Sequence, residues 1–167
     1  GYRTALYFKH FGLKDEEKIF QVALDCTKRW IAQHFKNFEL KDEEKRYQLA
    51  QICAQRNGND IARYFNNIGL EDEEKRYQIA LICAQSNGGD TARYFNNFGL
   101  EDEKKRYQVA LICAQSEGSD FVEYFEYFMI QDEEKAYRLA LTYSNKRGNA
   151  VWTATYFRNF GIKDEEK

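Results

Sequence analysis

Hydrophobic and polar residues follow each other along this chain with the period of amphipathic helices. After Asp72, a run of polar and apolar positions extends to Gly88. Its apolar and small side chains fall on one wide arc, at Tyr77, Ile79, Ala80, Cys83 and Ala84. The pattern predicts a helix, here named the A helix, with Asp72 as its N-cap and Gly88 as its C′ residue.

A shorter stretch from Thr91 to Phe98 predicts a second helix, the B helix, capped by Asp90 and ended by Gly99. Its aromatic side chains gather on one side and its polar side chains point away. A helix this short is not stable alone. The aromatic side must therefore pack on the A helix and on a neighbouring hairpin.

The hairpin is repeated. The aspartate that opens the Asp-Glu-Glu-Lys motif recurs at intervals of 27, 30, 30, 30 and 32 residues, at Asp15, Asp42, Asp72, Asp102, Asp132 and Asp164. Self-similarity at such a period is typical of a solenoid. The sequence therefore predicts an all-α fold, a single α-solenoid domain over 1–167 made of about five helix-turn-helix repeats of about 30 residues. The units run over 1–11 (partial), 12–38, 39–68, 69–98, 99–128, 129–160 and 161–167 (partial).

Two units depart from the regular pattern. The first full unit, 12–38, has lost its turn, so its A helix is expected to continue past Cys26 towards Phe35 as a longer or bent helix. The fifth full unit, 129–160, gains two residues between Asn145 and Ala150. Because both chain ends cut across a unit, we expect the chain to be part of a longer array.

Composition narrows the functional classes. Charged residues are 31% of the chain but the net charge is only -2, which does not favour binding to a phosphate backbone. No apolar run is long enough for a membrane span. Four cysteines occupy one repeat position, and stacked helices lie too far apart for disulfides between such positions. We therefore expect buried, reduced cysteines and a cytoplasmic location. With two histidines in the chain, no metal site or other cofactor is expected.

Catalytic motifs are not recognisable in the sequence. The paired carboxylates Glu73 and Glu74 lie where the positive end of a helix favours anions, which is sufficient to explain them. His10 and His34 have no companion serine or cysteine nucleophile at a familiar spacing, and there is no glycine-rich phosphate loop. We expect no enzymatic activity.

Positions that vary between units are candidates for binding. In the fourth full unit, 99–128, the B helix carries Glu123, Glu126 and Tyr127 in place of the usual arginine and asparagines. This acidic, aromatic patch is either a contact surface or a local repacking of aromatics. Polar ladders are the other candidates: Gln48, Gln78 and Gln108 on the A helices, and Arg63, Asn66, Asn67, Arg93, Asn96 and Asn97 on the B helices. They could bind a peptide backbone, read nucleic-acid bases, or form a solvated stripe.

The hairpin units resemble those of helical repeat proteins, the tetratricopeptide-like and Sel1-like arrays among them. The resemblance covers essentially the whole chain, although the unit is shorter and lacks the Trp, Gly and Pro landmarks of the tetratricopeptide repeat. It implies a rigid, curved scaffold that binds proteins or peptides. A protein- or peptide-binding region of a larger regulatory or effector-like protein is the first hypothesis. A single-stranded nucleic-acid reader with one base per unit is the alternative, and a structural spacer the third.

Overall fold

A computed structural model describes residues 2–27, 31–116, 119–146 and 148–162, and every regular element within these ranges is helical. Each A helix packs against the A helices of adjacent units, and each B segment packs against adjacent B segments. The buried apolar side chains form one continuous core along this stack. The predicted all-α class with packed helix pairs is confirmed.

The A helices begin where the aspartates predict. They span Glu16–Cys26, Glu43–Arg56, Glu73–Ser86, Glu103–Cys113 and Glu133–Ser144. At the third of these helices, Asp72 Oδ1 accepts hydrogen bonds from the backbone N–H groups of Glu74 at 2.7 Å and Lys75 at 3.1 Å. This is the arrangement of an N-cap. The small residues of the predicted apolar arc are buried in the core, as are Ile79 and its equivalents Leu49, Val109 and Leu139.

The B segments are not continuous helices. Their α-helical parts span Tyr2–Leu6, Gly58–Tyr64, Gly88–Arg93, Asp120–Glu123 and Asn149–Thr155. The parts with 3-10 geometry span Phe8–Phe11, Ala32–Phe38, Phe65–Asn67, Phe95–Phe98, Phe125–Phe128 and Phe157–Phe160. In a 3-10 helix, side chains three residues apart lie in line. The tighter turn thus directs Phe95 and Phe98 together into the core, where both are buried.

Two predicted caps are wrong: Gly88 as the left-handed end of the A helix, and Asp90 as the N-cap of the B helix. Gly88 is not a C′ residue in the left-handed conformation, because it lies in the first turn of the B helix. The cap of that helix is Asn87, whose side chain accepts a hydrogen bond from the backbone N–H of Asp90. The glycine is required by packing instead: a Cβ at Gly88 would lie 3.0 Å from the Cα of Cys113 in the next unit.

Phenylalanine rings connect the B segments of successive units. The ring centroids of Phe65 and Phe98 lie 4.6 Å apart, and those of Phe95 and Phe128 lie 4.2 Å apart. The same contact recurs between Phe8 and Phe38 and between Phe125 and Phe160. At these four junctions an aromatic side chain is therefore buried against the next unit, which aligns the B segments in register.

The first full unit differs from its prediction. Its A helix ends at Cys26 and is capped by Thr27, whose hydroxyl donates to the carbonyl oxygen of Leu24 at 2.7 Å. The next described element is the 3-10 segment Ala32–Phe38, so the expected helix running on to Phe35 is wrong. The part of that expectation at 28–30 lies outside the described residues, as does the part of the last predicted unit, 161–167, that begins at 163.

A recurring left-handed residue follows each B segment, and it gives a stability prediction. Gly69 and Gly99 have φ angles of 69° and 57°, but Met129 takes the equivalent place with a φ of 48°. A left-handed conformation is unfavourable for any residue with a Cβ. We expect Met129→Gly to raise the free energy of unfolding by about 1 kcal/mol, measured by urea denaturation. Met129→Ala, which keeps the Cβ, should not reproduce the gain; equal gains would contradict this explanation.

Candidate interaction surface of the B segments

In three of the motifs the first glutamate links its unit to the next one through two backbone N–H groups. Glu73 Oε1 accepts hydrogen bonds from the backbone N–H groups of Glu101 and Asp102, both at 2.9 Å. Glu16 and Glu43 make the same pair of bonds to the units that follow them. These bonds lower the pKa of Glu73, chiefly through the N–H of Asp102. The helix dipole is therefore not a sufficient explanation for this carboxylate.

The lysine of the motif reaches back to the preceding unit. Lys105 Nζ lies 3.1 Å from Glu74 Oε2 and 5.8 Å from the ring centroid of Tyr77. Lys75 repeats this arrangement on Glu44 and Tyr47. The next residue, an arginine, donates to backbone carbonyls: Arg76 donates to Glu71 of its own unit and to Gly99 of the next. The aspartate of the motif thus caps its own helix, and the other side chains of the motif make contacts between units.

The glutamine ladder lies on the A helices, and two of its three members have partners in their own helix. Gln78 Nε2 donates to Glu74 Oε1 at 2.9 Å, and Gln48 Nε2 lies 3.5 Å from Glu44 Oε1. Gln108 is exposed, and a lysine stands one turn before it in place of the glutamate. The side chains of Gln48 and Gln78 therefore bond within their own helices. This is what the solvated-stripe alternative predicts.

The second asparagine of each B segment ties neighbouring B segments together. Asn97 Nδ2 donates to the carbonyl oxygens of Ala62 at 3.0 Å and Arg63 at 3.1 Å in the preceding unit. The same side-chain donation recurs at Asn37, Asn67 and Asn159. Asn66 Nδ2 in turn lies 3.2 Å from Asn97 Oδ1. These amides bind the protein's own backbone.

The arginines of the ladder stack on tyrosines. The guanidinium of Arg63 lies 5.4 Å from the ring centroid of Tyr64. Arg93 lies 5.6 Å from the ring of Tyr124 in the next unit, and its Nη2 is 2.6 Å from Asp120 Oδ1. The charge of Arg93, one of the arginines of the predicted polar ladder, is therefore neutralised by a carboxylate of the following unit.

Equivalent positions form one surface, which we name the B face. In the second full unit it comprises the exposed or half-buried side chains of Arg63, Tyr64, Asn66 and Asn67. The residues at the equivalent positions of the other units complete it. Asn96 is exposed on this face. The structure brings together on it the candidate residues of the B segments and separates them from the glutamines of the A helices.

The fourth unit changes the character of the B face. Tyr127 stands where other units have the linking asparagine, and its ring lies 5.6 Å from that of Tyr124. Glu123 and Glu126 are exposed beside this pair. Loss of water contact and the charge of Glu123 raise the pKa of Tyr124, so its hydroxyl remains protonated at neutral pH. We name these four residues the fourth-unit patch.

Sequence reasoning missed a row of tyrosines on the B face. Tyr64, Tyr94, Tyr124 and Tyr156 occupy the same place in successive B segments, and each is half-buried. The repetition of tyrosine was visible in the sequence, but it was interpreted only as filler between layers. Each ring is mostly buried, and its remaining surface lies at the boundary with solvent.

Two clefts recur one unit apart, at the C-terminal ends of neighbouring B segments. One, of about 250 Å³, is lined in part by Lys36, Glu39 and Asn67. The other, of about 300 Å³, is lined in part by Asn66 and Asn97. The remaining lining residues also correspond between the two units. The surface relief of the B face therefore repeats with the solenoid.

The cysteines lie in the core, and the described residues form no metal-binding cluster. Burial raises the pKa of Cys53 to about 12, and the other three cysteines are also buried and unpaired. Over 2–27, 31–116, 119–146 and 148–162, no group of three or more His, Cys, Asp or Glu side chains is placed to hold a metal ion.

Comparison of the chain with protein-family models, with curated proteins and with solved structures finds no match. The functional argument therefore depends on the chain's own geometry. None of the helices within the described segments is both long and apolar enough to cross a lipid bilayer.

The carboxylate link between units gives a prediction with a neighbouring control. We expect Glu73→Ala to lower the free energy of unfolding by about 1–2 kcal/mol at pH 7, because two backbone N–H groups lose a charged acceptor. Glu74→Ala should cause a smaller loss, since Glu74 makes an exposed ion pair. Urea denaturation measures both, and equal losses would rule out a special role for Glu73.

The stability that Glu73 contributes depends on pH in a defined direction. The pKa of Glu73 is lower in the folded chain, so its contribution is fully present above the unfolded pKa of about 4.3. It is lost as the pH falls through the lower folded-state pKa. The stability difference between the wild type and Glu73→Ala should therefore shrink under acid conditions.

The asparagines allow a second matched comparison. We predict that Asn97→Ala lowers the free energy of unfolding by about 1–2 kcal/mol, because two carbonyl oxygens lose a donor. Asn96→Ala, at the adjacent exposed position, should change it by less than about 0.5 kcal/mol. If urea denaturation shows no difference between the two variants, Asn97 does not link the units in solution.

Proposed function

We propose that this chain is a non-enzymatic helical repeat scaffold that binds a protein or peptide through the B face. The observation that carries the proposal is the fourth-unit patch. There, Glu123, Glu126 and Tyr127 replace side chains that elsewhere bind the protein's own backbone or stack on its tyrosines. Exposed carboxylates beside paired aromatic rings are a chemically distinct surface on an otherwise repetitive stack, and aromatic residues are enriched where proteins bind each other.

The tetratricopeptide-like and Sel1-like arrays offer an analogy for this function. They use stacked hairpins as scaffolds for proteins and peptides, and the packed helix pairs described above have the same general architecture. The binding residues proposed here come from this chain alone, because no family motif transfers to it. A reducing, cytoplasmic environment is part of the proposal and is supported by the buried, unpaired cysteines.

The nucleic-acid alternative receives less support from the B face. One-base-per-unit readout needs side chains that are available to base edges. Asn67 and Asn97 donate to backbone carbonyls of preceding units, and Arg93 pairs with Asp120. Base readout would then depend on Arg63 and Asn96, together with those hydrogen-bonding atoms of the adjacent side chains that are not already bonded within the chain. The acidic fourth-unit patch would also repel a phosphate backbone.

The experiment is quantitative affinity capture from a cell lysate, with and without nuclease. The chain is compared with Glu123→Arg/Glu126→Arg and with the control Asp25→Arg/Glu71→Arg, which makes the same charge change at exposed sites away from the B face. We expect nuclease-resistant proteins that are retained by the wild type and the control but lost from the first variant. Capture that collapses with nuclease would favour the nucleic-acid reader. Capture of nothing, or equal capture by all three, would overturn the proposal.

A further inference from the structure

Met129 is a strained residue that places an apolar side chain at the surface. It follows the fourth B segment in the left-handed conformation, with a φ of 48°, at the place that Gly69, Gly99 and Gly161 take after other B segments. Its side chain is 49% exposed. Strain of this kind persists only where the surrounding structure enforces it, and it clusters at functional sites. The structure therefore singles out Met129 as a candidate contact residue.

Glu39, which has the same left-handed place in the first full unit, shows what lies beside that place. Glu39 Oε1 is 3.0 Å from Nζ of Lys9 in the preceding B segment. The ion pair gives Glu39 a partner within the stack. In the fourth unit the equivalents of Glu39 and Lys9 are Met129 and Asn96, and Asn96 is exposed. Neither of these two side chains carries a charge.

Tyr127 is a second neighbour of Asn96. One junction earlier, Asn66 Nδ2 donates to Asn97 Oδ1 at 3.2 Å. Asn96 and Tyr127 are the equivalent pair one unit later, and the ring of Tyr127 is half-buried. The repeat therefore brings Tyr127 and Met129 to the same exposed asparagine.

The cleft between the second and third units supports this placement. Asn97 and Gly99 line that cleft together, and they are the equivalents of Tyr127 and Met129. The fourth unit thus lines the corresponding place with an aromatic ring and a thioether in place of an amide and a glycine. Aromatic residues and methionine are enriched at the core of protein interfaces, and methionine adapts its shape to the side chain that covers it.

The charge beside this apolar pair is negative. Glu123 and Glu126 are exposed in the same B segment as Tyr127. Glu123 takes the place of Arg93 of the third unit, and Arg158 of the fifth unit takes the place of Glu126, so the excess negative charge is confined to the fourth unit. Such a surface attracts a lysine or arginine of a partner and repels a phosphate backbone.

We propose that the fourth-unit patch and Met129 together bind a protein segment that carries an apolar side chain next to a lysine or arginine. The apolar side chain covers Tyr127 and Met129, and the cation pairs with Glu123 or Glu126. The proposal rests on the function proposed above, adds Met129 to the site and specifies the chemistry of the partner.

The test begins with a random library of short peptides displayed on phage. The library is selected on the intact chain, and the enriched peptides are synthesised and titrated with it by fluorescence anisotropy. We expect the enriched peptides to share an apolar residue next to a lysine or arginine. Enrichment of peptides that lack this pairing, or no enrichment at all, would overturn the proposal.

A variant that restores the repeat connects the binding to the site. Tyr127→Asn/Met129→Gly regains an amide donor and removes the left-handed strain, so the variant should remain folded, as circular dichroism checks. It should bind the selected peptides at least about tenfold more weakly, because buried anchor residues have effects of this size. Leu141→Ser alters a similarly exposed apolar side chain on an A helix and should leave the affinity unchanged. Equal affinity of the wild type and the restored variant would reject the proposal.

A charge variant tests the basic residue of the partner. Glu123→Gln/Glu126→Gln should weaken binding of the selected peptides by about twofold to tenfold, since exposed ion pairs contribute little individually. Added salt should weaken binding to the wild type more than to this variant, because salt screens exposed charges. Unchanged affinity and unchanged salt dependence would contradict the role of the two carboxylates.

The outcomes separate this inference from the broader function. If lysate proteins depend on the fourth-unit patch but the selected peptides lack the basic residue or still bind the restored variant, the scaffold function stands and this inference fails. If neither the lysate proteins nor the peptides depend on the patch, both fail.

Discussion

The stack depends on a carboxylate that accepts two backbone N–H groups from the following unit. Glu73 binds the N–H groups of Glu101 and Asp102 at 2.9 Å, just before the next A helix begins. Charged hydrogen bonds of this kind are both stronger and more directional than neutral ones. Where Glu16, Glu43 and Glu73 make these bonds, the carboxylate fixes where the following A helix starts relative to its own. The close approach at Gly88 and the contacts of the phenylalanine rings require that position to be correct.

This constraint separates the positions that must repeat from those that can vary. The motif aspartate caps its own helix, while the glutamates, lysine and arginine contact adjacent units, so their repetition has a structural cause. Asn97 belongs to the same group because it donates to the backbone of the preceding unit. Tyr127 gives up that donation in the fourth unit. This loss of a stabilising contact at a half-buried aromatic supports the binding function proposed for the fourth-unit patch, because functional sites are often kept at a cost in stability.

The sequence was sufficient to predict the period, which self-similarity shows directly, and also the helical class and the N-caps of the A helices, because these depend on residues within one helix. Asp72 and its first-turn partners are at most three residues apart, and Gly99 acts within its own turn. The partners of Glu73 lie in the following unit, so helix-dipole reasoning explained the charge but not its contact. Gly88 was assigned to the wrong role for the same reason, since its need for a small side chain arises from Cys113 in the following unit. The 3-10 turns were missed because packing of two phenylalanines, not local propensity, decides them.

The candidate site shows the same division between local and non-local information. The fourth-unit patch could be predicted because it breaks a repeat, and a broken repeat is visible in the sequence. The use of Asn67 and Arg93 could not, because their partners belong to other units. The tyrosine row was hidden for the opposite reason: a residue that recurs in every unit resembles core, and only its position at the solvent boundary distinguishes it from Phe95. In a solenoid, a residue can therefore recur because it packs in the core or because it lies at the same solvent boundary in every unit.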